Sequence, residues 1–228
     1  MGLDVPFSIH HKSKNRCLRM TQQNKQATFN LLDVEVLAHR CVYQGFFQMQ
    51  QYRLRHRLFA GGWSEVMSRE LFERGHAVVV MPYDPLRDEV VLLEQFRIGA
   101  MHTPGGPWLL EFVAGMFKEG EDALDVARRE VQEEMGCEVA ELEFISEYLV
   151  SPGGTSERIS LYCGRVDASQ ANGIHGLDEE HEDIRVSTVS FDQAVALLQG
   201  GRINSAAPII GLQWLQTNRQ QLRKQWNG

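Results

Sequence analysis

The sequence predicts an α+β fold: an α/β/α sandwich on a mixed sheet, preceded by a small N-terminal antiparallel β-sheet domain. Three observations carry this expectation. From about residue 76 onward, short apolar runs of strand character alternate with segments of helical period. Between residues 34 and 73 the pattern is strand-like throughout. One long amphipathic stretch, Gly115 to Cys137, follows directly on an apolar strand. With 228 residues the chain can bury one sizeable core or two small ones.

Residues 1–30 are polar and without periodicity, and His10-His11-Lys12-Ser13-Lys14-Asn15-Arg16 reads as a disordered tail, with Met20 a candidate start. Residues 31–75 form the first domain. Gln51 to Leu58 alternates apolar and basic residues, the mark of a half-buried strand, and places Arg53, Arg55 and Arg57 on one face. Gly61-Gly62 is a turn, and Trp63 to Phe72 the next strand. Three strands make a marginal sheet unless they find a surface to pack on.

The second domain, 76–228, opens with strands His76–Met81 and Val90–Phe96, joined by the Pro82–Asp88 hairpin loop. A loop with Pro104-Gly105-Gly106-Pro107 leads to a strand from Trp108 to Ala114, which feeds the amphipathic helix. Strands follow at about Glu141–Val150, Arg158–Arg165 and Arg185–Ser190. The polar loop 167–183 ends Asp178-Glu179-Glu180-His181-Glu182-Asp183, and a loop of that length inside a domain is usually functional or disordered. Asp192 starts a helix through Leu198, and Pro208 sits in the first turns of the last helix, ending near Trp226.

The helix at 115–137 breaks a local rule. At about 100° per residue, Leu124, Ala127, Val131 and Met135 form a core stripe, while Glu130, Glu133 and Glu134 crowd an adjacent face. Like charges at this spacing each cost a few tenths of a kcal/mol, and they lie in the last turns, where the helix dipole favours cations. Taken alone, three glutamates fit a solvated acidic face. A hard divalent cation such as Mg²⁺, which takes oxygen ligands and commonly shares its site with phosphates, would reverse the sign of the arrangement.

Bulk properties exclude several classes. A net charge of −7 argues against general nucleic-acid binding. Cys17, Cys41, Cys137 and Cys163 are far apart with no C-x-x-C pair, so a reducing cytoplasm fits better than a disulfide framework or zinc site. There is no apolar run long enough for a membrane span and no secretory h-region.

The spacing Gly115, five residues, Glu121, seven residues, Arg129-Glu130-Val131-Gln132-Glu133-Glu134-Met135-Gly136-Cys137 resembles the Nudix box, the signature of hydrolases that cut nucleoside diphosphates linked to another moiety. Seven positions are fixed residue types, a coincidence on the order of 10⁻⁹ per starting point at ordinary residue usage. The last position, normally aliphatic, is Cys137, which packs as a small hydrophobe. Outside the box, Gly45-Phe46-Phe47, Arg69 to His76, Glu94-Gln95-Phe96-Arg97, Ser151 to Arg158 and Gly173 to Leu177 resemble the bacterial ADP-ribose pyrophosphatase branch, as does Pro152, sixteen positions after Gly136.

That resemblance implies Mg²⁺-dependent (alternatively Mn²⁺-dependent) hydrolysis of ADP-ribose to AMP and ribose 5-phosphate. It also implies a homodimer with swapped N-terminal strands, which would supply the missing packing surface. Glu130 and Glu134 match the principal metal ligands, with the carbonyl of Ala114 another. Glu133 supports or joins the metal site, Glu182 is a further ligand, and Arg129 orients the carboxylates. Glu121 has a structural or secondary metal role. Glu180 matches the general base. Phe46, Phe47, Arg69, Glu70, Arg74 and Arg97 match positions that contact the nucleotide, and Met116, Ser151 and Glu157 match those lining the ribose and diphosphate path. The alternatives are a pyrophosphatase for another nucleotide sugar such as GDP-mannose, and a non-catalytic sensing module.

Overall fold

The apolar runs become the central strands of a mixed sheet with helices on both faces. A computed structural model of the chain describes residues 28–117 and 120–226. Its strands are β1 (Val34–Gln44), β2 (Gln48–His56), β3 (Met67–Glu73), β4 (Ala77–Asp84), β5 (Glu89–Phe96), β6 (Trp108–Glu111), β7 (Val113–Met116), β8 (Glu141–Leu149), β9 (Arg158–Arg165), β10 (Gly173–His175) and β11 (Ile184–Ser190). The helices are α1 (Ala123–Met135), α2 (Phe191–Gln199) and α3 (Ala206–Trp226). The tail expected over residues 1–30 lies, up to residue 27, outside the described residues.

The large sheet runs β10-β11-β5-β4-β9-β8. β4 and β9 are parallel, while β10–β11, β11–β5, β5–β4 and β9–β8 pair antiparallel. Alternation along β4 sends Val78 and Val80 into a core beneath α1 and Val79, Met81 and Tyr83 into a second core beneath α2 and α3. β4 is therefore buried on both faces, which is why it reads as one apolar run. This is the expected α/β/α sandwich. β1, β2 and β3 form the small antiparallel sheet. The chain divides into two compact units, one from residues up to Arg40 with Gln51–Arg69, the other from Cys41–Gln50 with Glu70 onward.

Several boundaries differ from expectation. The helix does not begin at Gly115. Val113–Met116 pairs with β4 as β7, and Asp122 caps α1 by accepting from the Leu124 amide at 2.8 Å. Gly136, at φ +67, ends α1 in the left-handed conformation. Leu124 belongs to the first turn and is 41% exposed, and Val126 takes its expected place in the core. The strand expected from Trp108 to Ala114 is two strands parted at Phe112. β4 and β5 pair only at Tyr83–Val90 and Asp84–Glu89, then diverge, and β7 continues along β4 while β6 continues along β5. Phe112 fixes the break by burying its ring in the core under α3, where a Cβ on Gly211 would meet it at 2.9 Å.

The strand expected from Trp63 begins instead at Met67, leaving Trp63 in an isolated bridge with Arg57. There Arg55 and Arg57 lie over the Trp63 ring, so two arginines of the basic row stack rather than simply facing water. Pro82, Tyr83 and Asp84, expected in a loop, extend β4. The loop 167–183 contains β10 and two 3-10 turns, one of them Asp178–Glu180.

Candidate active site

The site forms where α1 packs over the divergence of β4 and β5. Glu134 lies on the buried side of the helix, about 20° from Ala127 on the helical wheel, and is 2% exposed. Its Oε2 accepts from the backbone N–H of Ala114 at 3.0 Å. Burial pushes its carboxyl up to about 8, with the charges of Glu182 and Glu130 adding to the rise and the Ala114 hydrogen bond and Arg97 opposing it. A buried acid whose acidic neighbours lie on its own helix and on the loop before β11 is poorly placed for a lone protein and well placed for a cation.

Ala114 also offers its carbonyl. The Phe117 amide donates to the His76 carbonyl at 3.1 Å, so by alternation Val79–Ala114 is a non-hydrogen-bonded pair. Both polar groups of Ala114 are therefore turned away from β4, and its N–H is already on Glu134.

One turn earlier, Arg129 gathers the other box carboxylates. It lies 2.9 Å from Glu130, 3.2 Å from Glu133 and 3.8 Å from Glu121. Partial burial opposes its charge, yet Glu130, Glu133 and Glu121 together raise its pKa. The Glu130 carboxylate lies directly against Gly115, where any Cβ would overlap it. This explains the first box glycine: it lets a helical carboxylate rest on the strand backbone. Glu182 Oε2 accepts from the Leu177 amide at 3.1 Å. Among the described residues no group of three or more metal-ligating side chains is already gathered at ligating distance, Arg129 being the partner of Glu130 and Glu133.

A second cluster brings together several expected substrate residues. The Arg74 guanidinium lies 5.2 Å from the centroid of Phe47 and 3.4 Å from Glu157. Phe47 meets Phe46 and Phe72 edge-on at 4.8 and 5.2 Å. Phe46 is 87% exposed. Met116 is within reach of Gly75, and the exposed Ser151 starts the turn that leads to Glu157. Glu70 follows in β3. Arg69 belongs to the other unit, with its guanidinium on the carbonyl of Ser68. Glu180 lies in the 3-10 turn Asp178–Glu180.

The sequence reading missed two partners. Glu111 receives Arg97 Nε at 2.6 Å, and Glu73 receives the Ser156 hydroxyl. Glu111 had a signal, a lone charge inside the apolar run Trp108 to Ala114. Glu73 had none until β3 met the 151–157 turn through the Phe72 amide and the Gly154 carbonyl.

A buried helical carboxylate thus lies beneath a split in a mixed sheet, with the charges of Glu130 and Glu182 acting on it. The chain belongs to the NUDIX domain family, whose model matches residues 73–209. The chain is 54% identical over 203 residues to the ADP-ribose pyrophosphatase of Escherichia coli (strain K12), covering 89% of this chain and 97% of that one. It is 46% identical over 208 residues to the ADP-ribose pyrophosphatase of Haemophilus influenzae (strain ATCC 51907 / DSM 11121 / KW20 / Rd), covering 90% and 96%. A solved structure described as an ADP compounds hydrolase shares the fold at 20% identity, with a TM-score of 0.62 over 84% of this chain and 98% of that one. Nudix hydrolases are generally dependent on a divalent metal, and the all-oxygen donor set suits a hard cation.

Proposed function

We propose that the chain hydrolyses ADP-ribose to AMP and ribose 5-phosphate, using Mg²⁺ or, alternatively, Mn²⁺. The observation that carries this reading is Glu134, a buried carboxylate held by Ala114 and acted on by the charges of Glu182 and Glu130. The substrate follows from the two ADP-ribose pyrophosphatases, which align over nearly their whole length.

Glu130, Glu134 and Glu182, with the Ala114 carbonyl and support from Glu133, would hold the cation. It supplies neutralisation of the diphosphate charge and acidification of water. Arg129 keeps Glu130 and Glu133 oriented on one side of α1. Glu180 accepts the proton as water attacks phosphorus, and the bond from that phosphorus to the bridging oxygen breaks. Phe46 and Phe47 present faces to the adenine, while Arg69, Glu70, Arg74 and Arg97 contact the nucleotide. Met116, Ser151 and Glu157 line the ribose and diphosphate path. Residues 31–75 act as a dimerising domain in a homodimer. Val36, Leu37, Val42 and Tyr43 of β1 are exposed and offer the apolar surface such an interface needs. The reducing-compartment reading of the cysteines supports a cytoplasmic location. No helix among the described residues is long and apolar enough to cross a membrane.

The test is product analysis with ADP-ribose and Mg²⁺, with Glu134→Gln as control. AMP from wild type alone supports the reaction and the helix site. Cleavage of another nucleotide sugar in place of ADP-ribose overturns the substrate, and AMP from both proteins overturns the site.

A further inference from the structure

Gln95 occupies a position in β5 that no role above uses. It is 5% exposed, and its amide Nε2 is fully buried without a hydrogen-bond partner among the described residues. Buried amide donors are almost always paired, and one left free asks for a physical reason. Packing does not give it, since a leucine or methionine would fill the same space without stranding a donor.

Its location supplies the reason. Val91 and Leu93 face the core beneath α1, and alternation along β5 puts Gln95 next in that row. On one side, β6 pairs Glu111 with Leu93, so Glu111 shares this face and lies diagonal to Gln95 while accepting from Arg97. On the other side, β11 pairs Arg185 with Glu94 on the opposite face. Ile184 therefore lies on the face of Gln95, and Glu182 stands two residues before it, in the loop that leads into β11. Arg97, two residues beyond Gln95, and Glu182 both act on the charge of Glu134. A lone N–H donor there matches one kind of partner, an acceptor. Glu111 on this face already accepts from Arg97, which leaves Glu182, on the loop before β11, as the carboxylate for this donor.

We propose that Gln95 is a positioning residue whose amide N–H donates to the Glu182 carboxylate when the site is loaded, fixing that carboxylate as a ligand. This rests on the cation site described above and not on the identity of the substrate. Carboxylates that bind cations are themselves commonly hydrogen-bonded, and removal of such partners weakens metal affinity or activity about 10–100-fold.

The experiment uses the full chain with Gln95→Leu, Gln95→Met and Glu182→Gln. Mn²⁺ binding is followed by electron paramagnetic resonance, Tm is measured without metal, and kcat and KM are measured with ADP-ribose. Both Gln95 variants should keep or raise Tm, weaken Mn²⁺ about 10–100-fold, and lower kcat with KM changed less than about threefold. In the Glu182→Gln background, Gln95→Leu should weaken Mn²⁺ by no more than about twofold further. A lower Tm with wild-type Mn²⁺ affinity, or an undiminished effect in the Glu182→Gln background, would overturn the proposal. If wild type binds Mn²⁺ but does not cleave ADP-ribose, the substrate reading fails while the Mn²⁺ titrations still decide the role of Gln95.

Discussion

Two carboxylates on opposite sides of the large sheet are treated in opposite ways. Asp88, at the β4–β5 turn, is surrounded by donors. Tyr83 and Arg219 Nε each reach Oδ1 at 2.7 Å, and Arg223 lies 3.2 Å from Oδ2. Burial works against its charge, but the bonds from Arg219 and Tyr83 hold its pKa below the ordinary value of 3.8. Glu134 is more deeply buried, has one backbone donor and feels the charges of two acids. The first acid ties α3 to the sheet; the second is left poorly compensated by the protein. The two faces of one sheet thus treat a buried acid differently, one compensating its charge and the other not.

The largest effect should come from Glu134→Gln. It should lower kcat about 10³-fold or more by removing a cation ligand, as measured in the AMP assay. The same change should raise Tm in metal-free protein. The folded carboxyl stays protonated until about pH 8, whereas the unfolded chain ionises it above about 4.5, so wild type loses stability as pH rises between those values. The Tm advantage of Glu134→Gln should grow over that window and level off above it. A constant advantage at all pH values would break the contrast with Asp88.

Next is Glu180→Gln, expected to lower kcat roughly 10²-fold or more while metal-free Tm stays unchanged. Full kcat in this variant, with loss in Glu182→Gln, would move the base assignment. Asp88→Asn should do the reverse: kcat unchanged and about 1.5–3 kcal/mol lost in urea unfolding near neutral pH. The lowered pKa means that the Asp88 contribution is present above pH 3.8 and lost as pH falls through the folded value. The gap between wild type and Asp88→Asn should therefore close in acid. The smallest effect is Arg74→Lys, which loses the guanidinium lying over Phe47 and should raise KM about tenfold with kcat nearly kept.

The box was legible because helical spacing alone places Glu130, Glu133 and Glu134 together, and because their like charges needed an explanation. The two-sided burial of β4 was legible for the same reason, since an unbroken run Val78-Val79-Val80-Met81 leaves no polar face. What sequence could not supply was register. Glu111 meets Arg97 only because the chain breaks at Phe112 and sends β6 along β5. Leu124 misled because amphipathic period continues into a first turn that lies beyond the edge of the core.

The break at Phe112 also creates two adjacent amides with different attachments. By the alternation of β7, the Gly115 N–H belongs to the ladder with β4, while the Ala114 N–H belongs to Glu134. Hydrogen–deuterium exchange at Gly115 then follows opening of the sheet, and exchange at Ala114 follows the state of one side chain. Neighbouring peptide groups thus form a built-in reporter and its internal control, so that loading of the site is visible at a single backbone proton without any probe being added to the molecule.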